Sequence, residues 1–265
     1  MTDPADRTDL PEAIRRAVGP RDRKRVALGK SRADVYRLTA RGCAALYLKV
    51  QPARAAPSLR GERDRLLWVG ARLPVPEVVA WAEDRGTEFL LISEVPGAPA
   101  SDPVNAAAAK RLAVLVGETL RRIHAIPVAG CPFDSRNEWL VAAAQRNVER
   151  GAVDSADFDA ERRGQTPAEV LVEVRRKRPR SPGATVFVHG DASMPNLLVA
   201  DGALGGIVDW GLAGAGDPYR DIALALRSFA WNHGMKWERE LVAAYGLDGL
   251  DPGRVAFHRM VDELF

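Results

Sequence analysis

The chain holds two aspartates and an asparagine at a spacing that suits phosphoryl transfer. In "VFVHGDASMPNLLV", which starts at Val186, Asp191 is followed five residues later by Asn196, and Asp209 ends the stretch "GGIVD" 13 residues beyond that. A polar turn between two short strands would use Asp and Asn for its backbone alone. Moving a γ-phosphoryl group asks for more: a carboxylate to orient an acceptor hydroxyl and take its proton, and hard oxygen donors for magnesium. A lysine fixed by an acid must also hold the α/β-phosphates. Lys49, which ends "LYLK", and Glu62, 13 residues on, are candidates for that pair. Each residue alone is a weak signal. The ordered set of five is much more specific.

These side chains need elements to position them. Strand-like segments occupy the first 95 residues: "DVYRLTA", "AALYLKV", "PEVVAWAE" and "TEFLLISEV", with turn signals at Arg41-Gly42 and Arg85-Gly86. Between the second and third, "LRGERDRLLWVGARL" predicts a helix that ends before Pro74 and carries Glu62. Glycine and proline accumulate from Pro96 to Pro103, as at a lobe boundary. Beyond it the periodicity turns helical: Leu112, Leu115, Val116, Leu120 and Ile123 recur on one face of "NAAAAKRLAVLVGETLRRIHAIP", with Asp102 or Asn105 as cap. Further helices are expected in "NEWLVAAAQRNVER", "PAEVLVEVRRK", "DIALALRSFAWNHG" and "VAFHRMVDELF", with short strands at Val186–Val188, Leu197–Val199 and Gly206–Val208. The predicted layout is α+β: a β-rich small lobe over 1–95, then a mostly helical lobe over 96–265.

Bulk properties exclude several classes. At 265 residues, 46% hydrophobic and 28% charged, the chain can bury a substantial core. No apolar run approaches a membrane span, and the acids and proline of "MTDPADRTDLPEAIRR" do not suit a signal peptide, so a cytoplasmic location without membrane partners is expected. Cys43 and Cys131 lack metal-ligand spacing and read as two thiols. The net charge is only +3, and the basic run "RRKRPR", Arg175 to Arg180, has no interleaved aromatics. It reads as a solvated helix end, where cations oppose the dipole, and no nucleic-acid partner is expected.

"HGDASMPN" followed by "GGIVDWGLAGAGDPYRDIALA" resembles the protein-kinase-like small-molecule kinases, and within them the aminoglycoside 3′-phosphotransferases. "ADVYRL", "LYLK", "GERDRLLWV", "LPVPEVV", "LLISEVPG", "LRRIHAIPVAGCPFD", "RNVERGAVD" and the terminal "VDELF" extend the resemblance, in order, from about Gly29 to Phe265. It implies a bilobal protein-kinase-like fold and a cytoplasmic monomer or weak dimer that uses ATP and Mg2+. GTP is the alternative nucleotide, because the bonds to the base are backbone ones. Asp191 would be the catalytic aspartate, with Asn196 and Asp209 as metal ligands. Lys49 would contact the α/β-phosphates and pair with Glu62. Tyr47 would stack on adenine, with Ser93 and Val95 bonding the base through their backbones and Ser31 and Val208 completing the nucleotide site.

An aminoglycoside acceptor is a polycation, so its site needs local acids. Asp154, Asp157, Asp159 and Glu161 offer one group, and Asp262, Glu263 and the terminal carboxylate of Phe265 another. The resemblance favours Asp159, Glu161, Asp262, Glu263 and Phe265. Asp217 and Asp221 are expected to bond loop backbone or cap the helix at Ile222, with Arg227 pairing one of them, and His189 to brace the catalytic loop. "DWGLAG" departs from the family pattern, because Leu212 stands where the 3′ enzymes carry an arginine. The same chemistry on a macrolide, or on an amino alcohol resembling choline or homoserine, is the alternative.

Overall fold

The structure is a computed structural model that describes residues 10–26, 33–180 and 183–265. In chain order its elements are α1 (Glu12–Val18), β1 (Asp22–Val26), β2 (Asp34–Thr39), β3 (Leu46–Pro52), α2 (Leu59–Val69), β4 (Val78–Asp84), β5 (Thr87–Ser93) and β6 (Ala98–Pro99). There follow α3 (Ala109–His124), β7 (Asp134–Ser135), α4 (Asn137–Glu149), α5 (Pro167–Lys177), β8 (Val186–Val188), β9 (Leu197–Ala200) and β10 (Ala203–Ile207). The chain closes with β11 (Gly214–Gly216), α6 (Tyr219–His233), α7 (Glu238–Tyr245) and α8 (Pro252–Asp262). Two compact units result: residues up to Pro99 with Leu197–Leu212, and Ala100–Asn196 with Ala213–Phe265.

The first unit is built on an antiparallel sheet in the order β1-β2-β3-β5-β4. Alternation along β3 sends Leu46, Leu48 and Val50 to one face, where they join Tyr36, Leu38, Phe89 and Leu91 and the α1 residues Ile14 and Val18 in a buried cluster. Tyr47, Lys49 and Gln51 take the other parity, so chemistry and core divide by face. β9 and β10 form a hairpin, and β6 pairs with β9, giving a second sheet, β10-β9-β6. That pairing is why the segment around residue 197 joins the first unit and why the division does not fall at the single expected boundary of residue 95.

The second unit is mostly helical. Leu112, Val116, Leu120 and Ile123 are buried along α3, as the periodicity predicts, but the α-helix begins only at Ala109. The preceding turn over Pro103–Ala108 is 3-10, capped by Asp102, whose side chain accepts from Val104 N at 2.9 Å. Leu140 and Ala144 of α4, Val170, Leu171 and Val174 of α5, and Phe257, Met260 and Val261 of α8 form the main core cluster. α5 spans the residues expected, opened by a capping box in which Thr166 N donates to Glu169 Oε2 at 2.7 Å. Its basic C-terminal end is paired as a solvated helix end would be: Lys177 with Glu173 at 3.1 Å and Arg175 with Gln145 at 2.7 Å. Among the described residues no helix is long and apolar enough to cross a membrane, and both cysteines are free thiols.

Candidate active site

In the first unit Lys49 Nζ lies 2.7 Å from Glu62 Oε1 and 3.4 Å from Asp209 Oδ1. The Lys49 and Glu62 side chains are 11% and 4% exposed, so this is a nearly dry pair. Burial pulls the lysine pKa down, but Asp209 and Glu62 together outweigh it and hold the ammonium charged well above its ordinary range. Three residues that lie up to 160 positions apart in the chain thus meet around one cation.

Helix α2, which carries Glu62, is anchored at its start. Ser58 Oγ accepts from Gly61 N at 3.0 Å, and the buried carboxylate of Glu88 on β5 accepts from Leu59 N at 2.7 Å and from Arg60 N at 3.4 Å. Gln51, opposite Glu88 in the β3–β5 register, donates to Glu88 Oε2 at 3.3 Å and to Pro57 O at 2.9 Å. Glu88 and Gln51 therefore fix the helix start over the strand that bears Lys49. Sequence reasoning missed both; the one available signal was a glutamate beside the apolar run Phe89–Ile92.

Asp209 has φ +65°. Among the described residues the other non-glycine positive φ values belong to Arg85 and Asp201, each paired with a glycine in the two-residue turn of a hairpin. Asp209 is in no such turn, and backbone held in the left-handed region outside one concentrates at functional sites. Its approach is secured by Ile207 N donating to Pro74 O at 2.9 Å and by the buried indole of Trp210 donating to Ile207 O at 2.9 Å.

The other nucleotide candidates of this unit sit close by. Tyr47 Oη is 3.5 Å from Glu94 Oε1, and burial, with Glu94 adding to it, raises its phenol pKa. Ser93 ends β5, donating through N to Glu77 O and accepting at Oγ from Glu77 N, both at 2.9 Å. Val95 packs on the backbone of Gly206, where a Cβ would stand 2.6 Å from Val95 Cγ2. Val208 follows β10, one residue before Asp209. Ser31 lies outside the described residues.

In the second unit the catalytic-loop candidates are pinned from below by α6. The fully buried Asp221 accepts from His189 N at 2.7 Å and Gly190 N at 2.8 Å, and Arg220 Nε donates to Gly190 O at 2.8 Å. His124 Nε2 lies 3.0 Å from Asp221, with its Nδ1 2.8 Å from Tyr245 Oη. Burial alone would raise the Asp221 pKa, but His124 and His189 reverse this and lower it. Asp191 N donates to His189 Nδ1 at 3.2 Å, so His189 braces the loop as expected.

Asn196 Nδ2 donates to Asp191 O at 3.0 Å, Asp191 Oδ2 at 2.8 Å and Ser193 Oγ at 3.2 Å. The Asp191 oxygens can only accept, so the amide nitrogen must face them. That leaves the side-chain carbonyl of Asn196 as its donor for a cation, an oxygen of the hard type Mg2+ takes.

The expected acceptor acids are gathered, but around arginines. Arg162 bonds Glu263, through Nε at 2.7 Å, and lies 3.4 Å from Asp159 and 3.7 Å from Glu161. Arg220 reaches Asp262 at 2.7 Å, and Arg227 bonds Asp262 and approaches Asp159 at 3.6 Å. Arg227 therefore pairs with these acids and not with Asp217 or Asp221 as expected; Asp217 is taken by Arg254 at 2.6 Å. Burial pushes the Asp262 pKa up, but Arg220 and Arg227 bring it below the ordinary value. Glu263 goes the other way, its burial outweighing Arg162. Glu161 is 85% exposed at its side chain, and the Phe265 ring packs on the α4–α5–α8 cluster 5.6 Å from the Arg220 guanidinium.

A family profile described as "Phosphotransferase enzyme family" matches residues 22–258. An aminoglycoside 3′-phosphotransferase of Niallia circulans is 32% identical over 256 residues, covering 96% of this chain and 97% of its own. Among solved structures, an aminoglycoside-3′-phosphotransferase of type VIII superposes with a TM-score of 0.85 at 32% identity, over 96% of this chain and 97% of that one. Aminoglycoside phosphotransferase APH(3″)-Id from Streptomyces rimosus, solved with ADP and streptomycin, gives 0.80 at 28% identity, over 95% and 96%. The fold is the α+β, protein-kinase-like one that the resemblance implied, the protein is a kinase acting on a hydroxyl, and the chain belongs to the aminoglycoside phosphotransferase family.

Proposed function

We propose that this protein transfers the γ-phosphoryl group of ATP to a hydroxyl of an aminoglycoside, the 3′-hydroxyl first among them, and so confers resistance. The observation that carries the reading is the grip of Asn196 on Asp191, 2.8 Å from amide to carboxylate. It fixes the aim of the group that must meet the hydroxyl. The acceptor oxygen bonds to the γ-phosphorus as the bond to the β,γ-bridging oxygen breaks. ADP departs with that electron pair, and the hydroxyl proton passes to Asp191.

Lys49, steadied by Glu62, holds the α/β-phosphates in this reading. Tyr47 stacks on the base, the backbones of Ser93 and Val95 bond it, and Ser31 and Val208 line the same nucleotide site, with GTP an alternative donor. Asn196 and Asp209 offer a carbonyl and a carboxylate oxygen, a donor set that fits Mg2+ completed by phosphate oxygens and water. When bound, Mg2+ neutralises charge on the phosphates. Asp159, Glu161, Asp262, Glu263 and the terminal carboxylate of Phe265 supply the negative side of the acceptor site. Residues 1–95 supply most of the nucleotide-binding lobe, joined by the 197–212 segment, and the rest of 96–265 the catalytic and acceptor lobe of a cytoplasmic monomer or weak dimer. The purified protein should release ADP from ATP and Mg2+ with kanamycin and raise the kanamycin tolerance of a sensitive bacterium. No turnover across a panel of aminoglycosides, streptomycin included, would overturn the acceptor; full activity in Asp191→Ala would overturn the mechanism.

A further inference from the structure

All four acidic side chains expected to bind the acceptor, Asp159, Glu161, Asp262 and Glu263, already lie within ion-pair reach of Arg162, Arg220 or Arg227, and of the four only Glu161 stays largely exposed. A polycation meeting this surface finds much of the carboxylate charge compensated, so another feature must add to recognition. We propose that the indole of Trp231 is a platform for the acceptor, taking the apolar C–H face of an amino-sugar ring and the ammonium groups at its rim. The inference rests on the aminoglycoside reading above.

Trp231 is 68% exposed. Arg220, Arg227 and Trp231 are spaced by seven and four along α6, which puts them on one face of the helix. Contacts run without a gap from the catalytic loop to the indole. Arg220 bonds Gly190 O, beside Asp191, and Asp262; Asp262 bonds Arg227, and the Arg227 guanidinium lies 5.0 Å from the indole centroid. The helix end that carries the platform is also hydrogen-bonded on the two residues after Trp231. Asn232 Nδ2 donates to Ser228 O and His233 Nε2 to Ala100 O, both at 2.7 Å, which fixes the helix end around Trp231.

The chemistry matches the ligand class. An indole face carries negative charge density that attracts ammonium ions, and tryptophan does this best among the aromatic side chains. With Arg227 over part of the ring, the exposed remainder faces solvent on the side of the helix that carries the acid–arginine cluster. The largely exposed carboxylate of Glu161, at the Arg162 edge of that cluster, is positioned to take a further ammonium group.

The test is steady-state kinetics of the full chain and its Trp231→Ala and Trp231→Phe variants, with KM measured separately for kanamycin and for ATP. Trp231→Ala should raise the kanamycin KM about tenfold, with the ATP KM, kcat and Tm nearly unchanged. Trp231→Phe should recover most of the loss, which a merely structural role would not produce. A kanamycin KM unchanged in Trp231→Ala, while the unaltered protein turns kanamycin over, overturns this inference alone. Absence of turnover by the unaltered protein with every aminoglycoside of the panel, streptomycin included, overturns the aminoglycoside reading and the platform together.

Discussion

Asn196 donates its amide to the carboxylate of Asp191 at 2.8 Å and to the Asp191 carbonyl at 3.0 Å, so one side chain sets both the backbone and the aim of Asp191. Asn196→Ala should lower kcat by about 100-fold, in the range for loss of one preorganised polar contact in a transition state. It should also raise the Mg2+ concentration needed for half-maximal rate. Asn196→Asp brings a like charge against Asp191, which raises a carboxyl pKa. The acid limb of its kcat/KM profile should therefore move to higher pH.

The Lys49–Glu62 pair makes a stability prediction with a definite sign. Lys49 has a folded pKa above its free value of 10.5, so the stability it contributes is complete below pH 10.5 and is lost only as pH rises through the higher folded value. Urea unfolding between pH 6 and 9 should show no slope from this residue. Glu62→Ala removes the nearer partner of a buried cation and should cost about 3 kcal/mol.

Asp221 works at the opposite end of the scale. Its folded pKa lies below the ordinary 3.8, so its contribution is full above that value and fades as pH falls. Asp221→Asn should cost about 2 kcal/mol at pH 7, as expected for charge-assisted bonds to buried backbone. The gap from the unaltered protein should narrow in unfolding curves taken at pH 3 and then pH 2.

A variant at Glu88 should separate nucleotide binding from acceptor binding. Glu88→Gln keeps the size of the side chain but offers one acceptor oxygen where the helix start and Gln51 require two. The ATP KM should rise several-fold while the aminoglycoside KM stays near its starting value. Equal changes in both would mean that the carboxylate supports the whole fold instead of α2.

Asp209→Gly sets stability against function. Glycine adopts φ +65° without strain, whereas an ordinary side chain there costs about 1–3 kcal/mol. The strain released at φ +65° offsets part of the lost pairing with Lys49, so the variant should unfold at a higher urea concentration than Asp209→Ala and yet show no measurable ADP release. Asp209→Ala should lose both activity and stability.

Local chemistry made much of this molecule legible in advance. The five residues proposed for the transfer stand out by type and order, and the structure gathers Lys49, Glu62 and Asp209 in one cluster and Asp191 with Asn196 in another; the Thr166–Glu169 box with Pro167 marks the start of α5. What escaped depends on pairing partners that local composition does not reveal. β1 reads "DRKRV", four exposed polar residues and a valine, and is a strand only because β2 pairs with it. β7 and β11, "DS" and "GAG", are short bridges that exist only through each other and β8. α7 is a separate eight-residue helix lying between the two helices expected to close the chain. The acids were legible as acids, but their arginines were not, since Arg162 and Glu263 lie 101 positions apart.

The β9–β10 hairpin has a consequence for the order in which the protein can be made. Residues 197–212 belong to the unit that the first 99 residues begin, and Pro74, Val95 and Gly97 all meet backbone from that hairpin. A ribosome delivers it only after nearly a hundred residues of the second unit have emerged. The N-terminal unit must therefore wait, incomplete, while those residues are made, and a gene fragment stopped at Pro99 would encode a unit without its own last two strands.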